Sequence, residues 1–546
     1  MIAPAPSGMV DPDRRSVPDA ARADLKQPSL RAHPHPGPRL LFLLLAGVMV
    51  GWCGVFIARS SFIAIDGHRY YSLFDDAMIS MRYAWNLVHG HGLVWNPGQP
   101  PVEGITNLLM TLYMALGAVV LNKTDAVLFV QVSGIPILLG IGVVSAKVAD
   151  LVCGDLPPAT RRLCRAFAFV SPVLYYPLAY WTLLGMETGL LTLLLLAALL
   201  IILERDRQAR FTPLIPVLLG LAFLTRPDSP VLAIVLLTYR YVRLPRGSIG
   251  LIVRELAILG AIGGAATLFR LAYYHSVVPN TYTLKMTGMP LGTRLLNGLG
   301  FVYPFLQTAW PALGLALFGV LARPRPVTRM LAILVGVALL YQVWTGGDAW
   351  PYWRMLAPVM PIVFILSLDA LCWAAQALRG RMLLVVVAMV TVYLCADSAF
   401  SAEMTFREPA AQVVSNQGDV DESLALDAVT TTRATIAVIW AGTLPYYSGR
   451  PAIDLLGKSD PYIAHLAPDL SGDIAWNGMT SVPGHNKYDL RYSILRLRPT
   501  YTQTLIWGRQ NLTKSAVMYR WFSYRGVRLL LDTTSHDVRW PLVKGG

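Results

Sequence analysis

Charge is what this chain has least of. Only 14% of its 546 residues are Asp, Glu, Lys or Arg, while 55% are hydrophobic. Soluble domains carry roughly 25% charged residues, so this balance excludes an ordinary soluble domain and indicates a polytopic membrane protein. A mean hydropathy of +0.50 agrees. Acidic residues are outnumbered, 32 against 46 basic, giving a net charge of +14. No segment interleaves its basic residues with aromatics, so nucleic acid is set aside as a partner. The Lys/Arg excess falls largely between apolar runs, as the positive-inside rule requires of cytoplasmic loops. Cysteine is sparse too. Cys53, Cys153, Cys164, Cys372 and Cys395 all lie in or beside apolar runs and none lies beyond residue 400, which excludes a disulfide framework and a cysteine-based metal site. An internal repeat is also missing, which weakens a transporter reading, since many transporters are built from repeated halves.

What the chain does have is a succession of apolar runs separated by polar turns. Residues 1–38 are rich in Pro, Ala, Arg and Asp without apolar periodicity, and are predicted to be a disordered cytoplasmic tail. Six basic residues (Arg14, Arg15, Arg22, Lys26, Arg31 and Arg39) precede the run LLFLLLAGVMVGWCGVFIA. That run is long enough to span and too long for a signal-peptide core, so an uncleaved anchor is predicted. Basic clusters then mark cytoplasmic turns at Arg161/Arg162/Arg165, Glu204–Arg210, Arg240/Arg243/Arg246/Arg254, Arg323/Arg325/Arg329 and Arg379/Arg381. Between them lie turns at the opposite face: Trp181–Thr188, Thr225–Ser229, Pro279–Lys285 and Gly346–Arg354. Asn107–Leu121 is short for a crossing and is read as a partial or re-entrant helix. The expectation is about eleven transmembrane helices over 39–400, with a large first extracytoplasmic loop at 59–106. An odd number leaves residues 401–546 outside. Short apolar stretches there (TIAVIWAG, YSILRLR, VRLLL), broken by turn residues, suit a small α/β domain.

The ionisable residues that remain are grouped by this topology. Asp75, Asp76, Arg82, Glu103, Glu187, Arg226, Asp228, Lys285, Asp348 and Arg354 all map to the extracytoplasmic face. Each would cost about 2.5–3.5 kcal/mol near the bilayer core, so several at one depth imply a shared aqueous cleft. Their chemistry is complementary. A carboxylate can take the proton of an attacking hydroxyl, and Arg and Lys can hold a phosphate and stabilise its charge as it leaves.

The order DD-x₅-RYA-x-NL-x₂-GHGLVWNPG-x-PPVEGITN, then GMET, TRPD, PNTYTLK and GGDAWPYWRMLAPVMP, resembles the GT-C class of polyprenyl-phosphate-sugar-dependent glycosyltransferases. Within that class it is similar to the arabinofuranosyltransferases that add a terminal β-(1→2) arabinofuranose, and to their uncharacterised bacterial relatives. AGTLPYYSGRPAIDLLGKSDPYIAH and PGHNKYDLRY in the tail extend the likeness over about residues 40–500.

The resemblance implies a mostly α, GT-C-like membrane enzyme. It would transfer a sugar, arabinofuranose being one candidate, from a polyprenyl-phosphate donor to an envelope glycan or glycolipid. The reaction would run with inversion on the outer face of the cell (inner) membrane. Asp75 or Asp76 would be the base. Arg354, Lys285 and Arg82 are the candidates for the donor phosphate. Glu103, Asn107, Asp348, Tyr352 and His485 are the candidates for other substrate contacts. Some relatives use a divalent metal, for which Asp75, Asp76 and Asp348 could supply oxygen ligands.

Structural roles stand beside each of these. The two aspartates would also suit a helix N-cap, and Arg82 a carboxylate partner in its own loop. Lys285 and Arg354 would suit interfacial anchors, Glu187 with Arg226 an interhelical ion pair, and His89 with His91 a loop turn. Two other function classes fit the same membrane architecture: a lipid-linked sugar flippase or transporter, and a non-catalytic glycan-binding scaffold. A flippase would distribute charge through the membrane, whereas a scaffold would bind glycan through its tail alone.

Overall fold

The computed structural model describes residues 38–377 and 382–545. The expected tail over 1–38, apart from its last residue, and the Arg379/Arg381 turn lie outside the described residues. The chain divides into a short unit, Met1–Leu44, whose described part is helical, and a compact unit, Leu45–Gly546, which contains every site residue described below.

Among the described residues, six helices are long and apolar enough to cross a membrane: Arg39–Ser60, Lys123–Val152, Ile249–Tyr274, Leu291–Ala322, Pro326–Thr345 and Ala357–Gln376. Two bent helix pairs raise the number to eight if each acts as one span. Tyr176–Leu183 meets Thr188–Glu204 at 115°, and Met382–Ala396 meets Ser398–Met404 at 60°. The protein is therefore mostly helical and multi-pass. The expected eleven counts the shorter apolar helices Leu214–Thr225 and Pro230–Val242 as crossings, whereas Leu108–Val120 is the segment read as re-entrant. At 1.5 Å per residue each of these extends about 20 Å, against a hydrocarbon core of about 30 Å.

The C-terminal region is α/β. Helix Val413–Val429 packs on a six-stranded sheet. Its strand order is Lys544–Gly545, Tyr519–Tyr524, Val527–Asp532, Tyr501–Thr502, Ile436–Val438, Ala452–Asp454. Strand Ile436–Val438 pairs in parallel with both neighbours. The hairpin of Tyr519–Tyr524 and Val527–Asp532 is antiparallel and turns through Arg525 and Gly526. Both turn residues have positive φ, 47° and 85°, as a two-residue turn matched to strand twist requires. YSILRLR forms no strand; Arg491–Arg496 coils into a single wide helical turn.

The first loop and this sheet share one core, which decides where the polar residues go. Ile79, Tyr83, Leu93, Trp95 and Ile105 are buried together with Leu426, Ile436, Val438, Tyr501 and Leu531. Helix Asp75–Val88 is thereby clamped against a region more than 300 residues away in sequence. Arg82 reinforces the clamp. Its guanidinium donates to the carbonyls of Trp95 (2.6 Å), Arg450 (2.8 Å) and Pro445, and to Asn96 Oδ1 (2.8 Å).

Candidate active site

Helix Asp75–Val88 starts after Phe74, which has extended φ/ψ and makes no side-chain cap. Asp75 and Asp76 therefore occupy its first turn, where carboxylates complement the helix dipole, and their side chains diverge. Asp75 is fully buried. Its Oδ1 accepts the backbone N–H groups of Gly442 and Thr443, both at 3.0 Å, capping helix Thr443–Ser448 instead of its own. Its Oδ2 is buried without a partner. Burial pushes this carboxyl up to about 6, against the opposing pull of Lys458.

Asp76 faces the cleft. Its Oδ1 pairs with Lys458 Nζ, and its Oδ2 accepts from Arg354 Nη1 and Trp350 Nε1, each at 2.9 Å. Burial alone would raise its pKa, but Lys458, Arg354 and Lys285 outweigh burial and hold the carboxyl well below the usual carboxylate range. Arg354 is gripped on its other edge by Asp348, with Nε–Oδ2 at 2.6 Å and Nη2–Oδ1 at 2.9 Å. Burial would raise Asp348 as well; Arg354 and Lys285 instead lower it. Lys285 Nζ lies 3.8 Å from Asp348. Two carboxylates, Asp76 and Asp348, and three cations from four separate segments thus meet in one cluster, with Asp76 at its centre.

Local geometry explains how each cation is delivered. The loop after helix Pro326–Thr345 holds Gly346, Gly347, Tyr352 and Trp353 at φ of 90°, 81°, 64° and 41°. For Tyr and Trp such conformations are uncommon and cost of order 1 kcal/mol or more each. They fold the GGDAWPYWR segment back so that Asp348, Trp350 and Arg354 converge. Lys458 is presented by a turn built on Asp454, whose Oδ1 accepts the N–H groups of Leu456 and Gly457 and whose Oδ2 accepts that of Ser459. Lys458 is the principal residue that sequence reasoning missed. The GKSD motif that carries it was legible, but in a polar tail a lysine is unremarkable; only its turn-forming neighbours hinted at a fixed position.

The other sequence candidates sit elsewhere. Arg82 is held by backbone carbonyls, not by the cluster. Glu103 pairs with Arg270 at 2.5 Å. Asn107 accepts from Ser80 Oγ at 2.9 Å and donates to Glu187 at 3.2 Å. Tyr352 turns away from the charges: its hydroxyl donates to Glu403 at 2.6 Å, and its ring packs on Tyr180 and Phe400. His485 does reach the cluster's edge, stacked edge-on against Trp350. Trp181, at the GMET bend, lies 5.8 Å from the Arg354 guanidinium.

Beside Arg354 opens a cavity lined by Thr188, Arg226, Asp228, Tyr341, Gln342 and Arg354, with apolar walls from Leu191, Val231, Leu232 and Met355. Arg226 is anchored there by Glu187 at 2.6 Å and by Asp228, with two bonds at 3.0 Å. The GMET bend and the TRPD turn thus contribute to the same wall. The three carboxylates proposed for a metal do not assemble a donor set. Asp75 points to backbone amides, both Asp76 oxygens face cations, and among the described residues no three metal-ligating side chains converge.

A domain of unknown function, DUF8728, matches residues 410–528. No curated protein matches the chain. Among solved structures, the oligosaccharyltransferase AglB of Archaeoglobus fulgidus, in complex with an inhibitory peptide and a dolichol-phosphate, aligns with a TM-score of 0.52 at 10% identity, over 91% of this chain and 74% of that one. The same archaeon's oligosaccharyltransferase with Zn and sulfate gives 0.51 at 12%, over 90% and 73%. ArnT from Cupriavidus metallidurans gives 0.49 at 16%, over 76% and 85%. The fold is the one shared with these solved oligosaccharyltransferases.

Proposed function

We propose that this protein is a membrane glycosyltransferase that moves a sugar from a polyprenyl-phosphate donor to an envelope glycan or glycolipid at the extracytoplasmic face, with inversion and with Asp76 as base. The observation that carries this reading is the suspension of Asp76 between Lys458 and Arg354, beside a mostly apolar cavity that Arg354 shares with Arg226. A lipid phosphate needs both features: cations for its head and an apolar wall for its chain. The similarly folded AglB was solved with a dolichol-phosphate, which supports a lipid carrier of the same chemistry here.

In the reaction, an acceptor hydroxyl attacks the anomeric carbon as the bond from that carbon to the phosphate oxygen breaks. The hydroxyl proton passes to Asp76, and the polyprenyl phosphate leaves with its new charge on Arg354, Lys285 and Lys458. The charge pairing has a kinetic consequence. With no donor bound, the cations hold Asp76 as a poor base; a phosphate that draws Arg354 and Lys458 toward itself raises the basicity of Asp76 at the moment a base is required. Asp75, buried behind it, positions the helix turn. Eleven crossings over 39–400 and an extracytoplasmic α/β domain over 401–546 complete the reading. Hexosyl and pentosyl donors both fit it, arabinofuranose among them.

Asp76→Asn preserves the shape and removes the base. Transfer from a polyprenyl-phosphoryl sugar is expected to fall about 10²–10⁴-fold, with donor-lipid binding changed far less. Near-normal turnover in Asp76→Asn, measured with purified protein and labelled donor, would refute the assignment.

A further inference from the structure

Aromatic rings gather next to Asp76. His485 is 1% exposed, yet neither of its ring nitrogens has a hydrogen-bond partner. Its imidazole is surrounded by three indoles. Trp476 lies 5.2 Å away at 72°, Trp350 5.5 Å away at 90°, and Trp440 6.1 Å away at 56°. All three tryptophans are partly exposed. Two of them are fixed through their N–H groups, Trp350 to Asp76 and Trp476 to the Ala349 carbonyl at 2.7 Å. The backbone of His485 is tied down by Trp507, whose Nε1 donates to its carbonyl at 2.9 Å. Gly484, at φ +85°, lets Lys285 pass where a Cβ would lie 3.1 Å from its Cε.

We propose that Trp350, Trp440, Trp476 and His485 form a subsite for one uncharged sugar ring next to Asp76. The inference rests on the transferase reading and names what this wall takes: the sugar, as distinct from the lipid phosphate. Three features select that chemistry. Partly exposed indoles, two of them fixed through their N–H groups, offer apolar faces that the C–H face of a sugar ring covers, at little entropic cost. An imidazole kept neutral offers one donor and one acceptor, the complement of a hydroxyl. Burial, then Lys458, press His485 down to about 3, so it stays neutral at working pH. The two nearby lysines are each paired with a carboxylate, Lys458 with Asp76 and Lys285 with Asp348. An unpaired buried polar group is destabilising, and a ligand hydroxyl that reaches it removes that penalty.

The test uses the purified full-length protein in detergent, its tryptophan fluorescence, and two soluble probes, methyl α-D-arabinofuranoside and methyl α-D-mannopyranoside. Saturable quenching by at least one glycoside is expected, weakened about 10-fold in Trp440→Ala and in His485→Phe. It should be retained within about 3-fold in His485→Gln, which keeps one donor and one acceptor. Trp440→Phe, which conserves a ring, covers the case in which Trp440→Ala fails to fold. Competition by decaprenyl-phosphoryl sugar but not by decaprenyl phosphate assigns the ring to the donor; absence of competition by either assigns it to the acceptor. The proposal is overturned if neither glycoside gives a saturable signal, or if Trp440→Ala and His485→Phe bind as the wild type does. Loss of glycoside binding in the variants of a protein that transfers no sugar would sustain the subsite and sink the transferase reading. Transfer with unchanged KM for both substrates in the same variants would do the reverse.

Discussion

Two neighbouring aspartates illustrate how little the residue type decides by itself. Asp76 is ionised by the company of cations, whereas Asp75, one position earlier, is desolvated and holds its proton up to about pH 6. Between the ordinary value of 3.8 and about 6, the folded protein binds a proton at Asp75 that the unfolded chain has released, so stability falls as pH rises through that window. Asp75→Asn keeps the Oδ1 acceptor for Gly442 and Thr443 and has no charge to bury. It is expected to match the wild type near pH 4 and to exceed it by up to roughly 3 kcal/mol above pH 6. Thermal unfolding of both proteins at intervals from pH 4 to 7 checks this, and an offset that does not change with pH would defeat it. The same contrast sets the limit of legibility at this scale. Asp76, Lys285, Asp348 and Arg354 stand out in sequence because charge is expensive in an apolar chain. Arg82 and Glu103 stand out for the same reason, yet the structure partners them with the Trp95 carbonyl and Arg270. The cost of a charge is visible in a sequence; the identity of its partner is not.

At the scale of elements, the long helices follow from uninterrupted apolar runs, and the GMET break at Leu184–Glu187 coincides with a 115° bend. Docking of one element on another is far less legible, because it joins segments hundreds of residues apart through backbone contacts that carry no side-chain signature. Helix Asp75–Val88 meets helix Thr443–Ser448 at Gly442, where an added Cβ would lie 2.0 Å from the Asp75 carbonyl oxygen. Only glycine permits that approach. Gly442→Ala must push the two helices apart, breaking the paired N–H contacts to Asp75 and disturbing the position of Asp76. A loss of about 2–4 kcal/mol is expected, the scale of overpacking combined with orphaned buried polar groups. The readout is a lower unfolding temperature together with protease cleavage within residues 59–106. Wild-type protease resistance in Gly442→Ala would mean that the two helices are not held by this contact.

The whole molecule separates its charges by function. One set of ion pairs joins the basic turns: Arg161 with Asp150, Arg243 with Asp206, and Arg323 and Arg325 with Asp155 and Asp369. A second set gathers at Asp76 against the C-terminal α/β region. A bilayer between the two follows if the basic turns are cytoplasmic, and an odd number of crossings then carries the α/β region outside with the cleft. Cysteine labelling tests this directly, because the native cysteines are buried or only partly exposed. Ser515, exposed in the α/β region, and Arg207, exposed in the turn after helix Thr188–Glu204, report on the two faces. In intact cells Ser515→Cys should react with a membrane-impermeant maleimide, while Arg207→Cys should react only after permeabilisation. Reversed labelling would put the α/β region in the cytoplasm, and labelling of both from one side would require an even number of crossings between them. Either pattern would separate Asp76 from any donor presented at the outer leaflet.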